Sequence, residues 1–233
     1  MEIPSKLVCE ILKEKGISQI FHANSILTSC LFLQNQKLLS RGNVKQKGLY
    51  QTPQDSDKID RKYGIWHDIF LDTVDIHRRA NARNQYGPVT FVFDINVLIK
   101  NYTGKIWITK LNPTKWAGKK KYERWFQNAD DLRENLVIGN FDHMIVLRHC
   151  GGELPFKKYL SSILIDNPNQ RVNQSVVDIF SQSVGALKLA KHIGQINVPL
   201  KQRKCNTFCK CKDQYLRVDI LNKMFLLKNN NYD

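Results

Sequence analysis

Five side chains of ligand or acid–base type crowd into eleven positions of the chain: His67, Asp68, Asp72, Asp75 and His77. Imidazole and carboxylate groups bind divalent cations, so a metal-dependent nuclease is one chemistry this stretch suggests. The surrounding IWHDIFLD (65–72) reads as a strand, however, and alternation sends His67 and Asp68 to opposite faces. One ion cannot take both without a bulge, and no catalytic metal is expected. Two further carboxylates bracket a later apolar run. Asp142 precedes MIVLR and Glu153 follows it, behind a Gly151-Gly152 pair that permits an unusual turn and close backbone approach. Near the C-terminus Cys205, Cys209 and Cys211 gather three thiols, one short of the tetrahedral set that zinc takes. They are expected to be reduced thiols in a basic tail with Lys201, Arg203, Lys204, Lys210 and Lys212. A structural zinc completed by His192 or Cys150 is the alternative. Finally, His22, Asn24 and Ser25 stand where a first strand meets a helix, and Arg61 lies in a polar stretch just ahead of His67.

The elements that must position these groups can be read from periodicity. Leu7, Val8, Ile11 and Leu12 have helical spacing within 4–16, with Gly16 as a stop. Residues 17–21 suggest a short strand, and Asn24 or Ser25 can cap a following helix that carries Ile26, Leu27, Leu31 and Leu33. Residues 42–64 read as a long surface loop. Strands are expected at 65–72, 88–98, 105–110, 143–150 and 159–166, with a polar connection between the first two that suits a helix. Residues 175–194 have a helical apolar face. Strands in the middle and helices at the flanks give an α+β class.

Composition narrows the partners. The chain has 233 residues, enough for one sizeable core, and 42% of them are hydrophobic. No apolar run reaches the roughly 18 residues that cross a bilayer, and the amphipathic, acid-bearing N-terminus does not resemble a signal peptide. A cytoplasmic protein with no membrane partner is expected. Lys and Arg number 36 against 21 Asp and Glu, a net charge of +15, which favours a polyanion such as nucleic acid. Lys119, Lys120 and Lys121 beside Trp116 suit phosphate contact with base stacking, or else a helix whose aromatics fill the core.

Taken in order, IFHANSIL…LLSRG, DKIDRKYGIWHDIFLD, YGPVTFVFDINVL and MIVLRHC…LPFKKYLSSILID resemble the DarT family. Its members are NAD-dependent ADP-ribosyltransferases that modify nucleic acid and act as toxins. The resemblance spans residues 17 to about 168. It implies an ADP-ribosyltransferase-like split β-sandwich with flanking helices over 1–170. A helical, basic, Cys-bearing extension at 171–233 would pack on it. It further implies NAD as substrate, single-stranded DNA or RNA as acceptor, and an antitoxin as protein partner, in a toxin–antitoxin or phage-defence setting. His22 would bond a ribose hydroxyl, Asn24 or Ser25 the nicotinamide amide, and Arg61 the diphosphate. Asp142 or Glu153 would steady the oxocarbenium-like state and deprotonate the acceptor. Asn24 stands where the family more often has Thr, and Asp142 or His143 stands where its late strand begins with Glu. A non-catalytic nucleic-acid-binding module and a metal-dependent nuclease are the competing readings.

Overall fold

The computed structural model describes residues 1–79, 86–100, 104–171, 178–203, 209 and 211–225. In chain order the elements are β1 (Ile3–Pro4), α1 (Ser5–Glu14), β2 (Gln19–Asn24), α2 (Ile26–Gln34), β3 (Lys37–Leu39), α3 (Arg41–Gln46) and α4 (Asp57–Lys62). There follow β4 (Ile69–Leu71), α5 (Ile76–Arg79), β5 (Val89–Asp94), α6 (Val97–Lys100), β6 (Lys105–Ile108), α7 (Lys121–Arg124) and α8 (Ala129–Asn135). The last are β7 (Ile145–Leu147), β8 (Glu153–Pro155), β9 (Leu160–Ile165), α9 (Ile179–Ile193), β10 (Leu200–Gln202), α10 (Cys211–Tyr215) and α11 (Val218–Phe225). The fold is mixed α+β. Among the described residues no helix is long and apolar enough to cross a membrane.

The strands form two four-stranded sheets, ordered β10-β9-β5-β2 and β1-β6-β7-β4, with β3 and β8 as a separate pair. β5 is buried along Val89–Phe93, and its Val, Phe and Thr side chains suit a central strand flanked on both sides. Phe91 meets Phe32 at 6.0 Å and Phe156 at 5.4 Å, so this face of the strand is covered by rings from α2 and from the turn after β8. The two sheets touch where β2 meets β4. There Phe21 and Asp72 exchange backbone hydrogen bonds of 3.0 and 2.8 Å.

Side-chain caps open several of the helices. Ser25 caps α2, its Oγ accepting from the Thr28 N–H, and Asp178 caps α9 by accepting from Phe180 and Ser181. α9 buries Ile179, Ser183, Leu187 and Ala190 on one face and packs across α2. At its end, Gly194 lies so near the Leu33 carbonyl that a Cβ would stand 1.9 Å from that oxygen. β10 then pairs in parallel with β9, so the segment after residue 178 completes the sheet begun by the first half of the chain.

Several expectations are corrected. The 42–64 loop contains α3 and α4; these helices are too short to show an apolar period, and α4 buries no residue. The 65–72 strand contracts to 69–71, because His67 and Asp68 lie in a turn that follows Gly64 at φ +68°. The 88–98 strand ends at Asp94, whose carboxylate accepts from the Asn96 N–H at 2.7 Å and opens α6. The strands at 105–110, 143–150 and 159–166 also trim to shorter spans. In the polar connection α5 occupies 76–79, and residues 80–85 lie outside the described residues, as do Lys204, Cys205, Lys210 and 175–177. Arg203, expected in a basic surface, is 7% exposed and bonds Asp166, Asp75 and Thr90.

Candidate active site

Between the two sheets lies an open cleft with a cavity volume of about 140 Å³. β2 contributes His22 and Asn24 to its wall, α3 contributes Arg41, and α4 contributes Asp60. The turn into β4 and the bridge after it add Asp68 and Asp72.

His22 is held in one tautomer. Its Nδ1 lies 2.9 Å from the Phe70 carbonyl, which accepts only, so the proton sits on Nδ1. Burial lowers the imidazole's pKa below its ordinary value despite that bond, and the ring is neutral. Nε2 is therefore a hydrogen-bond acceptor beside the Asn24 amide, 3.5 Å from Nδ2. Asn24 Oδ1 accepts from the Ser25 N–H at 3.0 Å, which fixes the amide's orientation. Ser25 itself turns away from the cleft. Its hydroxyl bonds Thr52 at 2.7 Å and caps α2.

The cleft's carboxylates are unusual. Burial pushes Asp68 up to about 7; the Arg148 guanidinium, 2.8 Å away, pulls the other way, and the Asp60 carboxylate pushes further up. Burial likewise raises Asp60 to about 7, aided by Asp57 and opposed by the Ser56 hydroxyl and Arg41. Both groups thus exchange protons near neutrality, where proton transfer is most efficient. Arg41 is clamped by Asp57 at 2.9 and 2.6 Å and donates to the Thr52 carbonyl, so its position on the wall is rigid.

The other candidates stand elsewhere. Arg61 is exposed and lies over the Trp66 ring at 4.3 Å. Asp142 accepts from the Asn112 N–H at 3.0 Å and from Lys115 Nζ at 2.8 Å, which pins the 112–114 turn against the cleft without itself lining it. His143, beside it, accepts from the Val137 N–H and packs its edge on Phe126. Glu153 bonds Lys37 at 2.6 Å and Lys47 at 3.1 Å, and these bonds hold it below the ordinary carboxylate range. The glycines before it have φ +69° and +71°, and Gly152 lies so close to Ser40 that a Cβ would meet its Oγ.

Trp116 is 1% exposed, donates to the Leu111 carbonyl and meets Tyr63 and Trp125 edge-on, so its ring is core. Lys119, Lys120 and Lys121 are exposed around it. The 67–77 ligand types do not converge on one point. His67 lies over Gly42, Asp68 and Asp72 face the cleft, and Asp75 and His77 contact the C-terminal segment.

Sequence reasoning passed over Arg41, Asp60 and the Asp68–Arg148 pair as elements of one site. Arg41 stands at the end of the LLSRG motif, the one signal that was present. Asp60 was hidden in a stretch read as loop, and Arg148 reaches Asp68 only through the pairing of β4 with β7. Compared with known proteins, the chain matches no family model and no curated sequence.

Proposed function

We propose that the protein is an NAD-dependent ADP-ribosyltransferase that transfers ADP-ribose to a base of single-stranded DNA or RNA. The observation that carries this is the cleft, in which a neutral His22 acceptor, the Asn24 amide and the Arg41 guanidinium stand with Asp60 and Asp68. In this assignment the two sheets meeting at Phe21 and Asp72 are the halves of a split β-sandwich. The C1′–nicotinamide bond breaks, nicotinamide leaves with the bonding electrons, and a nitrogen or oxygen of the base bonds C1′ and loses its proton. His22 Nε2 accepts from a ribose hydroxyl, Asn24 pairs with the carboxamide, and Arg41 offers charge to the diphosphate. Asp68 is the carboxylate assigned to the reacting centre, because it lines the cleft and Asp142 and Glu153 do not. It steadies the positive ribosyl centre and takes the acceptor's proton.

The net charge of +15 supplies attraction to nucleic acid that weakens with salt. The toxin role and the antitoxin partner rest on the family resemblance alone. The occupation of Asp142 and Glu153 by lysines favours one second reading, a nucleic-acid-binding module without transfer activity. Incubation with labelled NAD⁺ and separate pools of single-stranded DNA, RNA and protein decides between them. Label on one nucleic-acid pool, lost in folded His22→Ala and Asp68→Asn variants, is the expected result. Nucleic-acid binding with no label and no NAD⁺ binding by calorimetry overturns the transferase in favour of the module.

A further inference from the structure

Away from the cleft, the chain brings one imidazole and two thiols to a single point. His77 Nε2 lies 2.9 Å from Cys209 Sγ, which lies 2.9 Å from Cys211 Sγ, and all three atoms fall within 4.8 Å of one another. His77 and Cys209 are 132 positions apart, so neither local propensity nor a shared element explains their meeting. The three are buried or half-buried. His192 and Cys150, the sequence's candidates to join the thiols, are not in the cluster: His192 is exposed on α9, and Cys150 sits by the Leu147 carbonyl.

We infer that His77, Cys209 and Cys211 bind a zinc ion that fastens the C-terminal segment to the wall of the cleft. The donor set is that of a thiolate–imidazole zinc site, and zinc tolerates this mix better than hard cations do. Zn–S and Zn–N bonds of about 2.3 and 2.0 Å place tetrahedral ligands about 3.5–3.8 Å apart. The sulfurs therefore open by under about 1 Å to admit the ion, a side-chain adjustment. Three protein donors leave one tetrahedral position for water or another donor of the chain.

The outer contacts fit as well. Asp166, fully buried, places Oδ1 3.7 Å from His77 Nδ1, on the far side of the ring from the thiols. A carboxylate there orients a metal-binding histidine and raises its basicity. The same Asp166 accepts from Arg203 Nε at 2.5 Å and from the Tyr215 hydroxyl at 2.7 Å. The end of β9, the end of β10 and α10 are thereby tied into one network with the ligands. On the other side, Ile76, which precedes His77, lines the cleft. A metal at this point connects the C-terminal segment to the residue beside the cleft, whatever reaction the cleft performs.

The test is metal content and spectroscopy on the full chain, purified under reducing conditions and supplied with Zn²⁺. One zinc per chain is expected, with Cys209 and Cys211 protected from thiol reagents until a chelator removes it. Replacement by Co²⁺ is expected to give tetrahedral d–d bands and a thiolate-to-cobalt charge-transfer band. That band should grow about 1.5-fold in His77→Cys, which has three thiolates in place of two, and the ion should be lost from the Cys209→Ser/Cys211→Ser double variant. Wild-type protein that takes up less than a tenth of an equivalent, or a disulfide joining Cys209 to Cys211, overturns the inference. So does full zinc retention in the double variant. The wild-type cobalt spectrum carries the test if a variant fails to fold.

Discussion

Replacing Asp68 by Asn should change how stability depends on pH. Burial raises this carboxyl from its ordinary 3.8 to about 7. Between about pH 4 and pH 7 the folded chain therefore keeps a proton that the unfolded chain has released. With more protons bound in the native state, stability falls as pH rises through that window. The cost is absent below about pH 4 and fully present above about pH 7, where it reaches about 4 kcal/mol. Asn is isosteric and does not titrate. The substitution also removes the partner of Arg148, but that guanidinium stays charged throughout, so its loss is a constant offset. Asp60 titrates in both proteins and largely cancels. The wild type should thus lose about 2–3 kcal/mol relative to Asp68→Asn between pH 5 and pH 8. For a chain of this size that is a change in Tm difference of roughly 5–10 °C. Parallel scanning-calorimetry or urea titrations of the two proteins across that range measure it. Parallel curves, or a wild type that gains on the variant as pH rises, would refute a buried, proton-holding Asp68 and with it the neutral-pH proton chemistry assigned to the cleft.

Other outcomes follow from single contacts. Gly87→Ala should destabilise the protein by about 2–3 kcal/mol and weaken the NAD⁺ binding proposed for the cleft, since at φ +133° its Cβ would stand 2.1 Å from the Asn24 backbone; melting and calorimetry read both. Arg203→Met should cost about 3–5 kcal/mol in urea denaturation, because it strands the buried Asp166 and Asp75 without their cation. Ser25→Ala should cost about 1–2 kcal/mol with an unchanged denaturant slope, through loss of the α2 cap and of the bond to Thr52. Cys30, its thiol pushed up to about 12 by burial, should resist alkylation at pH 8 in the native protein and react promptly once unfolded.

What could be read in the chain were features set by neighbours one to four positions apart. The apolar face of α1, the Ser25 cap, the Val- and Phe-rich β5 and the Gly151-Gly152 turn depend on local sterics and local hydrogen bonds, and each is where the pattern puts it. His22 and Asn24, singled out at a strand end in the sequence, both line the cleft. Helices as short as α3 and α4 carry too few turns for a period, so their side chains were read as loop. The rest was decided by tertiary structure. Asp68 meets Arg148 through one strand pairing, and His77 meets Cys209 and Cys211 across most of the chain. Arg203, by type a surface cation, is drawn inward because two buried carboxylates need it. Charge and ligand type are properties of a residue alone. Desolvation and partnership belong to its surroundings, and those exist only once distant segments have packed.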